Sequence, residues 1–193
     1  MKRNNIATSL IIVLCLFLLV ATGIFLVSFY GNSEPELHVT NQENNYFSNQ
    51  YFSFSVPKGW TVETEKNEEG YSLVELVLGS NEKISISGKD ASNLDVTSEE
   101  ALDVFEKEVL RAQKEYEQNQ TGEIPEINRI EYKDTEAIRY TINIFESQEK
   151  ITEVDTVYFF KNDVTYMVRL ENGVSSDLDK QVFEELLSSI EIK

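Results

Sequence analysis

Two hydrophobic periods alternate along the chain, and they predict where strands and helices fall. Phe52, Phe54 and Val56 alternate with Ser53 and Ser55, the period-two signature of a half-buried strand. Pro57-Lys58-Gly59 then turns the chain, since proline cannot donate to a ladder and glycine tolerates positive φ, and returns Trp60 and Val62 toward a core. After the polar stretch Glu63 to Gly70, Val74, Leu76 and Leu78 are in phase. Ile84 and Ile86 alternate with Ser85 and Ser87, which predicts a second hairpin around Gly79-Ser80-Asn81. The period then changes. Thr97 followed by Glu100 fits a capping box, and Ala101, Phe105, Val109, Ala112 and Tyr116, joined by Leu102, recur at helical spacing with Asp103, Lys107, Arg111 and Lys114 facing water.

A polar linker, Gln118 to Glu126, opens the second half. Ile127 to Tyr132 reads as a short strand, and Ile138, Tyr140, Ile142 and Ile144 alternate with Arg139, Thr141 and Asn143 in the clearest strand of the chain. Beyond a turn near Gln148-Glu149, Val154, Thr156, Tyr158 and Phe160 are in phase while Val157 and Phe159 take the other face, so this strand is expected to be central and buried on both sides. Lys161-Asn162-Asp163 turns it into Tyr166, Val168 and Leu170, with Met167 opposite. A final helix from about Ser176 presents Leu178, Val182, Phe183, Leu186, Leu187 and Ile190 as one broad stripe, so the C-terminus should dock on the sheet. Strands and helices in this order predict an α+β domain, an α/β/α sandwich around a central antiparallel sheet.

The run from Ile6 to Tyr30 has neither period. Sixteen of its 25 residues are Leu, Ile, Val or Phe, and none is charged. As a helix it would reach about 37 Å, enough to cross a hydrocarbon core of about 30 Å. Lys2 and Arg3 precede it and Glu34 and Glu36 follow, which orients the N-terminus to the cytoplasm and the rest outside. A cleaved signal peptide is the rival reading, with Ala21 and Gly23 as the small residues, but Ile24 to Val27 continue the apolar run past them. Cys15 lacks a small residue before it and sits inside that run, so it reads as a buried membrane residue and not as a lipidation site. The expected organisation is a cytoplasmic N-terminus over 1–5, a transmembrane signal anchor over 6–30, a flexible polar tether over 31–50 and an extracytoplasmic domain over 51–193, a single-pass protein of the cell membrane. A single cysteine permits no internal disulfide.

Charge narrows the partners. The chain carries 34 acidic and 17 basic residues, and no basic run is present, so nucleic acid is not expected. No glycine-rich phosphate cradle appears, so neither is a nucleotide. The attractions left to so acidic a domain are cations, basic proteins or cationic wall components, and the expected partners are membrane lipid through the anchor and an envelope protein at the domain. The only histidine, His38, lies in the expected tether, which removes His-based catalysis from the folded part. No catalytic, cofactor or metal residue is assigned. Asp90, Asp95, Glu99 and Glu100 gather before the first helix but lack the alternating ligands and central glycine of a calcium loop, and read as a capping acidic loop. Trp60 reads as core packing and not as an exposed platform, and Asn119-Gln120-Thr121 matches the short glycosylation pattern. Two alternatives to a binding or assembly module stand open: a hydrolase using paired carboxylates, and a calcium-responsive structural domain.

The Phe52-Ser53-Phe54-Ser55-Val56-Pro57-Lys58-Gly59-Trp60 opening, the Tyr158-Phe159-Phe160 to Tyr166-Met167-Val168 hairpin and the closing Phe183-Glu184-Glu185-Leu186-Leu187-Ser188-Ser189-Ile190 helix resemble the PsbP-like domain superfamily over nearly all of Tyr51 to Lys193. The resemblance implies an α/β/α sandwich and non-enzymatic roles, as in lumenal photosystem II subunits, a related nuclear transport factor and exported prokaryotic proteins. A retained anchor and the lack of a basic docking surface set this chain apart from the photosynthetic members and nearer to the membrane-anchored prokaryotic ones.

Overall fold

The computed structural model describes residues 46–78, 82–146, 149–172 and 177–193. The apolar run Ile6 to Tyr30, Cys15 and His38 lie outside the described residues, as do the Gly79-Ser80-Asn81 turn, Gln148 and Ser176. Among the described residues no helix is long and apolar enough to cross a membrane.

Eleven strands and two helices follow in order among those residues: β1 (Tyr46–Ser48), β2 (Phe52–Ser55), β3 (Thr61–Glu68), β4 (Tyr71–Leu78), β5 (Glu82–Asp90), α1 (Ser98–Asn119), β6 (Gly122–Glu123), β7 (Ile127–Tyr132), β8 (Thr135–Glu146), β9 (Glu149–Lys161), β10 (Val164–Asn172), α2 (Asp177–Ser189) and β11 (Glu191–Ile192). The large sheet runs β3-β4-β5-β10-β9-β8-β6, with β7 also on β8, and a small sheet runs β1-β2-β11. Every described pairing is antiparallel. The protein is thus α+β with an antiparallel sheet and two helices.

Alternation along β9 builds two cores. Val157 and Phe159 join Val74, Leu76, Ile84, Ile86, Tyr166 and Val168 on one face, where Phe183, Leu186, Leu187 and Ile190 of α2 and Phe47, Phe52 and Phe54 of the small sheet cover them. Tyr158 takes the other face with Ile138, Tyr140 and Met167, against Leu102, Phe105 and Val109 of α1. The Phe105 and Tyr158 rings stack 3.7 Å apart and nearly parallel. The central, two-faced strand expected over Val154 to Phe160 is β9, and Tyr166 and Met167 split between the two cores as their spacing requires.

The caps follow local chemistry. Thr97 Oγ1 accepts from the Glu100 N–H at 3.2 Å and the Glu100 carboxylate accepts from the Thr97 N–H at 3.0 Å, closing the expected capping box. Asn162 and Asp163 have φ of +53° and +58°, the pair of left-handed residues that lets a two-residue turn match strand twist.

Four expectations change. The tether over 31–50 loses its last five residues to the fold: β1 begins at Tyr46, Phe47 is buried against Phe54, and the Asn49 carboxamide oxygen accepts from the N–H groups of Tyr51 and Phe52. β2 does not form a hairpin with the strand after Pro57-Lys58-Gly59. That turn, with Gly59 at φ +90°, carries the chain from the small sheet to the large one, and Ser53 is buried because Glu191 of β11 lies over it. The linker Gln118 to Glu126 contains β6, whose Gly122 lies so close to β8 that a Cβ would meet the Asn143 carbonyl at 2.7 Å. Finally, the chain ends in a strand and not in the helix: the Lys193 N–H donates to the Tyr51 carbonyl at 3.0 Å.

Candidate interaction surface

The two faces of the large sheet are covered differently. On the face shared by α2 and the small sheet, α2 lies over β7 and β8, with the Tyr132 hydroxyl donating to the Leu187 carbonyl at 2.7 Å, while Phe52, Phe54 and Trp60 cover the rest. Trp60 is core, as expected. On the opposite face α1 lies over β6, β8 and β9. Arg129 of β7 holds its outer flank, donating to Glu106 at 2.9 and 2.7 Å and pairing with Asp103 at 2.5 Å. Among the described residues neither helix packs mainly on the α1-side positions of β3, β4 and β5, although Leu73 and Ser87 there, and Met167 beside them, are buried.

Register defines what this half of the face presents. Ser85 is the cross-strand partner of both Glu75 and Arg169, so one row reads acid, small, base across β4, β5 and β10. The next row reads Val77, Lys83, Glu171, and the row on the other side reads Leu73, Ser87, Met167. Lys83 Nζ bridges Glu75 at 3.2 Å and Glu171 at 4.0 Å, and Arg169 meets Glu171 at 3.3 Å. These four side chains are only 15 to 28 % exposed. Toward α1 the row continues through Thr156 to Tyr140. Burial pushes the Tyr140 phenol up, opposed by the nearby Arg169 charge. The Thr156 hydroxyl is fully buried and completes no hydrogen bond of good geometry.

The covered face holds a second polar cluster, beside the start of α2. Glu153, 8 % exposed, accepts from Lys150 Nζ at 2.6 Å and pairs with Lys180 of α2 at 2.9 Å. Arg139 joins Asp155 at 2.5 Å and Glu184 of α2 at 2.6 Å. Burial works to raise the Glu153 carboxyl, but the two lysines outweigh it and hold the group below its ordinary range. Burial likewise works against the Arg139 charge, but Asp155 and Glu184 outweigh it and hold the guanidinium protonated above its ordinary range. Glu153 and Asp155 are the buried carboxylate pair of the described residues. Each is bound by cations that fasten α2 to the sheet, and a glycosidase acid instead needs its proton held above the usual range.

The acids proposed for calcium do not converge. Asp90 accepts from the Ser92 N–H at 2.8 Å, which lowers its carboxyl, Glu100 closes the helix cap, and Asp95 sits in a left-handed turn at φ +36°. Among the described residues no three of His, Cys, Asp and Glu lie close enough to hold a metal ion. Asn119 is the last residue of α1, followed by the left-handed cap Gln120 at φ +55°. Sequence reading passed over the row of ion pairs across β4, β5 and β10. Its signal was the polar series Lys83, Ser85, Ser87, Lys89 within an otherwise buried strand, together with Arg169 and Glu171 in an apolar one.

Layers and surface together define an antiparallel α+β sandwich. The solution structure of cyanobacterial PsbP (CyanoP) from Synechocystis sp. PCC 6803 shares this fold, with a TM-score of 0.53, 13 % identity and coverage of 85 % of this chain and 99 % of that one. The fold is therefore PsbP-like, as the sequence motifs implied. A Bacteroides thetaiotaomicron protein matches at a TM-score of 0.47 and 12 % identity over 78 % of this chain, which spans 48 % of that protein's length. A Pseudomonas aeruginosa protein of unknown function matches at 0.35 and 15 % identity over 68 % of this chain and 82 % of its own. No family model matches the sequence, and no curated protein does.

Proposed function

We propose that the protein is a single-pass membrane-tethered module that binds or assembles with another envelope protein outside the cell, without catalysis of its own. The observation that carries the reading is the contrast between the two polar clusters. The buried carboxylates are locked to cations that fasten α2, while an ordered row of charges lies on a sheet face over which, among the described residues, neither helix is centred. The apolar run after Lys2 and Arg3 supports the tether, and the non-enzymatic reading is what the resemblance of the sequence motifs to PsbP-like domains implies. The domain's excess of acid keeps it standing off anionic headgroups.

The test is crosslinking in intact envelopes with a photoreactive residue at Ser85, and a control at Lys107 on the outer side of α1. A discrete adduct from Ser85 alone supports a binding surface at the charged row; equal labelling from both positions contradicts it. A hydrolytic activity abolished by Glu153→Gln with the fold intact would favour the hydrolase reading. A melting temperature that rises with calcium and falls with chelator would favour the calcium-responsive one.

A further inference from the structure

We infer that the outer edge of β3 is the docking site of an extended, lysine- or arginine-rich segment of the partner protein, taken up as a further strand of the large sheet. β3 is the terminal strand of the path β3-β4-β5-β10-β9-β8-β6, and each of its described pairings is with β4. Among the described residues its other edge has no ladder partner, so the N–H and C=O groups turned outward along its eight residues offer a template for one. Access is shown by the side chains. Thr61, Glu63, Glu65, Lys66, Asn67 and Glu68 are all exposed. Register divides the last four between the two faces: Glu65 and Asn67 lie opposite Val74 and Ser72 on the α2 side, Lys66 and Glu68 opposite Leu73 and Tyr71 on the α1 side. Neither face of the strand is covered over 65–68. α1 lies at the other end of the sheet, on β6, β8 and β9.

Charge selects the occupant. Glu63, Glu65 and Glu68 of the strand, with Glu69 in the turn beyond it, stand against Lys66 alone. Unlike the charges of β4, β5 and β10, these five form no ion pair among the described residues; the Glu65 carboxylate accepts instead from the Asn67 carboxamide at 2.7 Å. Once Glu34, Glu36, Glu43, Lys2 and Arg3 are set aside, residues 46–193 hold 31 acidic residues against 15 basic. A second copy, or any acidic strand, is therefore repelled from this edge, while a cationic one is drawn to it. Edge strands are commonly blunted by charge and by bulges, and β3 has both, its register shifting between Val62 and Thr64. Acid on an edge, however, turns away only like-charged strands. The regular stretch beyond the bulge, Thr64 to Glu68, leaves room for a short ladder in which backbone bonds supply affinity and the flanking carboxylates supply choice.

The proposal rests on the binding-module reading and adds the partner's chemistry and a place for it apart from the Ser85 row. The test uses the full chain in mild detergent and, as probe, a short peptide alternating lysine and valine, with backbone hydrogen exchange as the readout. Binding should slow exchange at the β3 amides that β4 leaves unbonded and leave α1 unchanged. The same peptide methylated at alternate backbone nitrogens keeps its charge but loses donors, and should bind about tenfold more weakly or worse. Glu65→Lys with Glu68→Lys should weaken the unmodified peptide by about tenfold or more, whereas Glu117→Lys with Glu126→Lys, equal in charge and away from the edge, should change binding by less than about threefold. Unchanged melting temperatures would show that both double variants fold. Equal binding of the methylated peptide overturns the proposal, because charge alone would then account for the contact. So do equal losses from the two double variants, and so do outward β3 amides already slow without peptide, which would mean that another part of this chain holds the edge. A peptide that leaves β3 unprotected while Ser85 still gives a discrete envelope adduct would discard the edge and keep the module. Protection at β3 with no adduct from Ser85 would support the edge and count against a contact at the Ser85 row.

Discussion

The α1-side face of the sheet carries two halves with opposite solutions to the same problem. Over β8 and β9, Phe105, Val109 and Leu102 seal Ile138, Tyr140 and Tyr158 from water. Over β4 and β5, Glu75, Lys83, Arg169 and Glu171 form a ladder of ion pairs across the strands, beside the buried Leu73 and Ser87. An antiparallel sheet tolerates either, because one of its faces can meet water if polar residues alternate onto it. The difference teaches that stability and recognition occupy separate territory here: apolar burial is concentrated under α1, and ordered charge is placed where its removal costs the fold little.

Substitutions should expose that division, beginning with the covered half. Phe105→Ala removes a ring stacked on Tyr158 and should cost about 3 to 5 kcal/mol in urea unfolding. Next comes a pair of glutamates on opposite faces. Glu153→Gln should cost about 1 to 3 kcal/mol, since it leaves Lys150 and Lys180 without their buried carboxylate, whereas Glu171→Gln in the ladder should cost under about 1 kcal/mol. The two also differ in acid. Glu153 titrates below its ordinary value in the fold, so the unfolded chain binds its proton more readily. Its stabilisation is complete above the ordinary glutamate range and drains away as pH falls through the lowered value. Glu153→Gln should therefore flatten the acid limb of stability against pH, and an unchanged limb would remove Glu153 from the latch. Thr97→Ala, which opens the capping box of the covering helix, should cost about 1 kcal/mol. Lys83→Met, in the ladder, should change stability by no more than about 0.5 kcal/mol. A cost for Lys83→Met comparable to that for Glu153→Gln would erase the contrast between the clusters.

What could be read in the residues follows from how local the cause is. β7 falls where Ile127 to Tyr132 predicted it, and the Thr97 and Glu100 box, the Asn162-Asp163 turn and the two faces of β9 each depend on a few neighbouring side chains. β6 and β11 escaped because two residues cannot display a period. The small sheet escaped for another reason: it joins Tyr46–Ser48 to Glu191–Ile192 through β2, and no local pattern announces a pairing between the two ends of the domain. The ladder was illegible for the same cause. Glu75, Ser85 and Arg169 are unremarkable apart, and only the register of three strands makes them a row.

The tethered placement outside the cell is most directly tested by adding a protease to intact, washed cells and following the chain by size. A full-length form that stays with the cells, loses residues beyond Tyr46 to the added protease and survives intact without it is the predicted result. A chain untouched until the cells are lysed, or one released into the wash and shortened near Gly23, would contradict it.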